Sequence, residues 1–185
     1  MNALNKKEAL IELVQKRRII YLDERITTET AKDFGLVIPW LNSQNDEEIK
    51  LIIDCGGGSA AAGLNMYDMV VFSNAPVVGI VYGQASSMAS VILQACKKRY
   101  ALPHAGVCIH YLKTYEIPLN DLDEDPEKAL KSVRERQKSV NDIYHKRTGK
   151  SLEEIKIALK EDKLLSAKEA LEFGLIDEII DKYPK

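Results

Sequence analysis

Residues 49–63 read IKLIIDCGGGSAAAG, and this stretch carries the strongest fold signal in the chain. Its first part, Ile49–Asp54, is a short apolar run rich in β-branched residues, which predicts a buried strand ending in a glycine turn. Ala60–Phe72 then has a helical pattern. The same order recurs, because Val77–Tyr82 predicts a second buried strand and Ser86–Lys97 a second apolar helix. Repeated strand, turn and helix units predict an α/β layered domain with parallel strands.

The flanking segments complete one domain that spans residues 1–185. Helical periodicity predicts one helix over 6–16 and another over Glu127–Lys146. A further helix is predicted from Thr27 or Thr28 towards Leu41, with Pro39 bending or breaking it. Short β-branched runs predict strands over Arg18–Leu22, Arg99–Leu102 and Val107–Tyr111. Two S-x-x-E capping boxes, at 151–154 and 166–169, predict the starts of the last two helices. The region after His110 is acidic and irregular and contains two prolines, which predicts a projecting loop or arm.

Charge and apolar content exclude several classes of protein. The chain is 45% apolar and carries 26 basic against 28 acidic side chains. This balance gives no net positive potential that would attract nucleic acid or anionic lipid. Apolar stretches such as Ala75–Tyr82 are far shorter than the roughly 20 residues of a membrane span, and the start has no signal-peptide core, which favours a cytoplasmic protein. Three cysteines without metal-ligand spacing indicate neither disulfides nor zinc. We therefore expect a peptide or protein partner and no cofactor, metal, nucleic acid or membrane.

The glycine-rich stretch Gly56–Gly63 invites a nucleotide-binding interpretation that its neighbours contradict. Gly58 and Gly63 have P-loop spacing, but Leu64 and Asn65 stand where that loop needs Lys and Ser or Thr. The dinucleotide pattern G-x-G-x-x-G also fails, because alanine replaces its third glycine. Two interpretations stay open: a turn that aims backbone N–H groups at an oxyanion, or a tight strand-to-helix turn.

Four side chains, at three places in the chain, are candidates for nucleophilic chemistry. The segment Gly83–Ala89, GQASSMA, lies at a predicted strand-to-helix turn, where Ser86 or Ser87 can either project a hydroxyl or cap the helix. His110 ends an apolar run, so it lies either at a strand end that holds an imidazole rigidly or in the core as an ordinary histidine. Asp162 lies in the charge run KEDK and by itself is typical of a solvated surface.

Taken together, these segments resemble the Clp protease proteolytic-subunit (ClpP) family over nearly the whole chain, from Arg18 to Ile180. The segments that are similar to the family's motifs, in the family order, are Asp54–Ser59 with Ala62–Gly63 and Tyr67–Asp68, Gly83–Ala89, Lys98–His110, Arg147–Gly149, Glu161–Ala167 and Gly174–Asp177. Several motifs at near-family spacing make the resemblance specific, although each alone is weak. Its nucleophile segment matches Ser87 rather than Ser86.

The resemblance implies a serine endopeptidase that cleaves short or unfolded peptides inside an oligomeric chamber. Ser87 would be the nucleophile, His110 the base and Asp162 the orienting acid, while the N–H groups of Gly58 and Met88 would form the oxyanion hole. The residues implied to hold the peptide as an added strand are Gly57, Ser59, Ala60 and Tyr111.

The resemblance also implies a crotonase-like β/α spiral core, about residues 17–110 and 148–180, and a protruding strand-helix handle over about 111–147. The implied partners are copies of this chain in a seven-subunit ring, with a stacked pair of rings as a further expectation, and an AAA+ unfoldase as the ATPase on another chain. Glu161 replaces the family arginine that links rings, which indicates a divergent member. A catalytically silent ring subunit and a crotonase-type acyl-CoA enzyme are the alternatives.

Overall fold

The computed structural model describes residues 5–113 and 123–183. In chain order its elements are α1 (Lys6–Arg17), β1 (Ile19–Leu22), α2 (Thr28–Gln44), β2 (Ile49–Cys55), α3 (Ala60–Phe72), β3 (Val77–Ser86), α4 (Met88–Ala95), β4 (Lys98–Ala101), β5 (Gly106–Cys108), α5 (Pro126–Thr148), α6 (Leu152–Glu161), β6 (Leu164–Ser166), α7 (Ala167–Phe173) and β7 (Glu178–Ile179). Both predicted capping boxes are confirmed, since the serine and glutamate of each box bond reciprocally at the starts of α6 and α7.

The strands named above form one sheet with a branch at β3. Its main path is β1-β2-β3-β4-β7, with each neighbouring pair parallel. The first half of β3 pairs with β4 over Val78–Val81, whereas its end pairs with β5 over Gln84–Ser86. Strand β6 then runs antiparallel to β5, so the prediction of parallel strands holds for the main path and fails at this edge. The branch brings the end of β3, the end of β5 and the α6–β6 turn to one place.

The main core lies between this sheet and the helices on one of its faces. Alternate residues of β2 show the division, because Leu51 and Ile53 belong to the main core while Ile52 faces a smaller apolar cluster with Ile80 and Ile180. Helices α2, α3 and α4 cover the first face with buried side chains, and α5 and α6 add to it. All three cysteines, Cys55, Cys96 and Cys108, are buried free thiols. Burying an aliphatic side chain stabilises the folded state by roughly 1.5–3 kcal/mol, so this face contributes most of the hydrophobic stabilisation.

The structure corrects the boundaries around the candidate serine. Strand β3 continues through Gly83 to Ser86, so the predicted turn at Gly83 is wrong and helix α4 begins at Met88. The extension comes from pairing with β5, a contact between distant segments that local periodicity does not contain. Strand β5 ends at Cys108, three residues before the predicted end at Tyr111, so His110 lies just beyond the strand. Helix α2 also continues through its proline to Gln44.

The predicted handle is described only in part, because residues 114–122 lie outside the described residues. Helix α5 ends at Thr148, two residues beyond the predicted Lys146, with Gly149 in the left-handed conformation as its C-cap. Its C-terminal half packs on the core through the buried side chains of Val140 and Tyr144. Over 126–139, in contrast, no side chain among those described is buried. Within the described residues, no helix is long and apolar enough to cross a membrane.

Candidate active site

Ser87 forms the junction between β3 and α4 and has an unusual backbone conformation. Its φ of 57° and ψ of −125° are rare for a residue with a side chain and are found where the surrounding structure enforces them. The Ser87 N–H donates to the carbonyl of Cys108 at 2.9 Å, and its carbonyl accepts from the N–H of Ser90 at 3.0 Å. Although Ser87 is the N-cap residue of α4, its side chain makes no capping hydrogen bond. The interpretation of Ser87 as an ordinary capping serine is therefore wrong.

The glycine turn after β2 lies directly against this junction. Gly57 has a φ of 94°, and a Cβ at that position would come within 2.7 Å of both the Ser86 carbonyl oxygen and the Ser87 Cβ, and within 3.1 Å of the Met88 nitrogen. A Cβ at Gly58 would overlap the carbonyl group of Ile26. The turn therefore needs glycine at both positions, and the close approach brings its backbone to the junction at Ser87.

Two backbone N–H groups near Ser87 have no hydrogen-bond acceptor among the described residues. One belongs to Gly58: the Gly57 carbonyl and the Ser59 N–H both bond Ile26, so the N–H of the residue between them points to the opposite side. The other belongs to Met88, the first residue of α4, where a helix has unpaired N–H groups and a partial positive charge. Unpaired N–H groups beside a serine hydroxyl are the donors that an oxyanion requires.

His110 lies just after β5 and is half-buried. Its Nδ1 is 2.6 Å from the carbonyl oxygen of Tyr111. Since a carbonyl can only accept, Nδ1 carries the proton, and in the neutral imidazole Nε2 keeps a lone pair. No hydrogen bond joins His110 to Ser87 or to Asp162 within the described residues. The imidazole therefore has the tautomer of a general base, but its orienting bond goes to its neighbour in the chain.

Asp162 is the C-cap of α6, with a left-handed φ of 48° and ψ of 42°. Its Oδ1 lies 3.9 Å from the Sγ of Cys108, and its Oδ2 lies 3.7 Å from the Nζ of Lys113. Burial, and then the Asp162 charge, raise the pKa of the Cys108 thiol, so this group stays protonated beside the carboxylate. Ser87 and Asp162 thus both contact Cys108, one through its carbonyl and the other through its Sγ, and His110 follows two residues later.

The four residues implied for peptide binding differ in which backbone groups are already hydrogen-bonded within the protein. Gly57 donates its N–H to the Cys55 sulfur at 3.3 Å, and Ser59 donates its N–H to the Ile26 carbonyl. Ser59 also accepts from the Ala62 N–H at 3.5 Å and caps α3, whose first residue is Ala60. Tyr111 is exposed, and its carbonyl is the acceptor for His110. Between Gly57 and Ser59, Gly58 has a backbone N–H that no described residue accepts.

Ser90 and Tyr144 also belong to this site, and sequence reasoning missed both. Ser90 Oγ lies 2.6 Å from the Ser87 carbonyl oxygen and 2.6 Å from the hydroxyl of Tyr144. The only sequence signal for Ser90 is its position one helical turn after Ser87, and Tyr144 has none, because it lies 54 residues away.

Comparison with known proteins identifies the family of this chain. The chain is 36% identical over 170 residues to the ATP-dependent Clp protease proteolytic subunit of Deinococcus radiodurans, covering 90% of this chain and 82% of that protein. A mutant of ClpP1 from Listeria monocytogenes superposes with a TM-score of 0.82 at 27% identity, covering 92% of this chain and 96% of that one. This likeness confirms the predicted ClpP, crotonase-like fold. Because the Clp protease family model also matches residues 3–183, the chain belongs to the Clp protease family.

Proposed function

We propose that this chain is a serine endopeptidase with Ser87 as its nucleophile. The observation that carries the proposal is the strained Ser87 backbone, with a hydroxyl that caps nothing, in contact with a glycine turn. Strain of this kind is retained where function needs a sharply presented side chain. Gly58 and Met88 would donate their N–H groups to the oxyanion, and one such donor is worth about 3 kcal/mol.

The proposed reaction follows from these positions. Ser87 Oγ attacks the peptide carbonyl carbon while its proton passes to Nε2 of His110, and the same proton then goes to the leaving amine as the C–N bond breaks. Water repeats the sequence to release the acyl group. Asp162 would accept from Nδ1 and stabilise the imidazolium, which requires His110 to exchange the Tyr111 carbonyl for that carboxylate. The peptide would pair with the free outer edge of Gly58, between the expected contacts Gly57 and Ser59 and next to Ala60.

We further propose a ring of seven copies, with the unburied half of α5 at a contact between subunits. Side chains over 126–139 cover no part of this chain's core, yet they belong to a continuous helix whose other half is firmly packed. A second ring stacked on the first is a further part of this proposal. The Deinococcus relative is called ATP-dependent, so an AAA+ unfoldase on another chain would supply the ATPase. The cytoplasmic location remains a prediction.

One observation favours the alternative of a catalytically silent subunit. In this single chain His110 bonds Tyr111, and Asp162 faces Lys113 and Cys108. A histidine fixed in this way would not activate the serine. The two proposals differ in whether assembly turns the imidazole towards Asp162.

Labelling with a fluorophosphonate, followed by mapping of the modified residue, tests the proposal. We expect the assembled protein to be modified at Ser87 and to cleave short fluorogenic peptides, while a stable folded substrate stays intact without an ATPase. Ser87→Ala should abolish both signals. The matched control is Ser86→Ala, whose hydroxyl bonds Gln84 at 3.1 Å, and we expect it to keep a measurable rate. Activity in Ser87→Ala would disprove the assignment, and an unmodified wild-type ring would favour the silent subunit.

A further inference from the structure

A chain of buried hydroxyl groups ends on the backbone of Ser87. Ser90, in the first turn of α4, is fully buried, and its Oγ lies 2.6 Å from the Ser87 carbonyl oxygen. Tyr144, in the packed half of α5, is 1% exposed, and its hydroxyl lies 2.6 Å from the same Oγ. These two hydroxyl groups therefore connect helix α5 to the candidate nucleophile through side chains that solvent does not reach.

The direction of both hydrogen bonds follows from the chemistry of the groups. The Ser87 carbonyl oxygen can only accept, so Ser90 must use its single proton there. Tyr144 must then donate to the Ser90 oxygen. Burial raises the pKa of the Tyr144 hydroxyl, which keeps the donor proton in place at any working pH. Hydrogen bonds that run in one direction strengthen each other in a buried setting, so the Tyr144 donor makes Ser90 a better donor to Ser87.

The hydroxyl groups of Ser90 and Tyr144 restrain the Ser87 carbonyl, one of the two backbone groups that keep Ser87 in its strained conformation. The other is the N–H, which β5 holds through the Cys108 carbonyl. A residue at φ 57° and ψ −125° relaxes unless both of its peptide groups are restrained. Helix α4 alone also bonds the Ser87 carbonyl through the N–H groups of Ser90 and Val91. These are ordinary first-turn bonds, whereas the hydroxyl chain adds a restraint from a second helix.

We propose that Ser90 and Tyr144 are positioning residues for Ser87, and that the hydroxyl chain holds the nucleophile junction in its reactive conformation. The inference rests on the proposed function, because it assumes that Ser87 is the nucleophile. Neither side chain touches the substrate, so the effect falls on the rate of the covalent step and leaves peptide binding unchanged. Packing of α5 against α4 thereby sets the reactivity of the serine.

Tyr144→Phe tests the proposal in the assembled protein, because it removes the donor hydroxyl and keeps the ring. We expect the second-order rate of fluorophosphonate labelling at Ser87 and the kcat for a short peptide to fall by about fivefold, with KM within about twofold of wild type. Ser90→Ala breaks both bonds and should cause at least the same loss. Since Tyr144 acts only through Ser90, the double variant should equal Ser90→Ala alone.

Two controls separate positioning from stability. Val140→Ala removes a buried side chain one turn earlier on α5 without touching the hydroxyl chain, so it should lower the melting temperature while its labelling rate at 25 °C stays at the wild-type value. Tyr67→Phe removes the hydroxyl of a half-buried tyrosine that has no hydrogen bond within the described residues. It should change neither the melting temperature nor the labelling rate.

The outcomes distinguish this inference from the proposed function. Labelling of wild type at Ser87, with Tyr144→Phe and Ser90→Ala equally reactive, overturns the inference and leaves the nucleophile assignment intact. The inference is also overturned if Val140→Ala loses labelling rate in step with its loss of stability. Additive losses of labelling rate in the double variant of Tyr144→Phe and Ser90→Ala would overturn it as well. Wild type that is not labelled at Ser87 overturns both.

Discussion

Replacing Gly57 with alanine puts a methyl group into the contact between the glycine turn and the junction at Ser87. The new Cβ would lie 2.7 Å from the Ser86 carbonyl oxygen and from the Ser87 Cβ. Carbon atoms in ordinary contact are about 3.5–4.0 Å apart, so one of the two segments must move by about 0.8 Å. A displacement of about 1 Å at a catalytic group costs about 100-fold in rate, or about 2.7 kcal/mol. The φ of 94° costs an alanine roughly 1–2 kcal/mol of stability in addition.

Gly56→Ala is the matched control, because a Cβ at Gly56 would meet nothing within 4 Å. Both variants are compared with wild type by the rate of fluorophosphonate labelling at Ser87, by kcat/KM on a short fluorogenic peptide, and by thermal unfolding. We expect Gly56→Ala to match wild type in all three measurements. Gly57→Ala should lose about 100-fold in labelling and in kcat/KM, and about 2–8 °C in melting temperature.

The reasoning would be refuted if Gly57→Ala were as reactive and as stable as Gly56→Ala. That result would mean that the glycine turn does not support the Ser87 junction. Loss of stability with full labelling would also refute it, because labelling at Ser87 would then not depend on the contact with the glycine turn.

Three further predictions concern stability and thiol reactivity. Burial raises the pKa of Asp177, but its hydrogen bonds to the buried Arg99 and the charge of that guanidinium outweigh burial and lower it. Asp177→Asn should therefore lower the free energy of unfolding, measured with urea at pH 7, by about 1.5–3 kcal/mol. That cost should shrink as pH falls below about 4, because the protonated wild-type carboxyl also loses the bond, and a cost independent of pH would contradict it. Arg18 donates to three backbone carbonyls from a buried position, so Arg18→Lys should lower the melting temperature by several degrees, and an unchanged value would contradict the role of the guanidinium fork. Burial raises the pKa of Cys96 to about 12, and the other two thiols also shift upwards, so iodoacetamide at pH 8 should modify the unfolded chain rapidly and the native protein slowly. Fast modification of a cysteine in the native protein would contradict this.

Much of the layered fold could be read from the sequence because its signals are local. Helix α3 has the predicted bounds, Ala60–Phe72, and the capping boxes at 151–154 and 166–169 start their helices as expected. These features depend on residues within one or two turns of each other, where periodicity and side-chain-to-backbone bonds decide the conformation. Family resemblance added the choice of Ser87 over Ser86, which position alone left open.

The tertiary structure alone decided how the site is built. The extension of β3 to Ser86 depends on β5, and the strained backbone of Ser87 depends on bonds to Cys108 and to the hydroxyl chain. The bond between His110 and the Tyr111 carbonyl depends on a rotamer, which no sequence pattern specifies. Ser90 and Tyr144 are 54 residues apart and meet only because α5 packs on α4. Contacts of this kind form between segments that are distant in the chain, so their geometry is set by packing of the whole domain and leaves no periodic signal in the sequence.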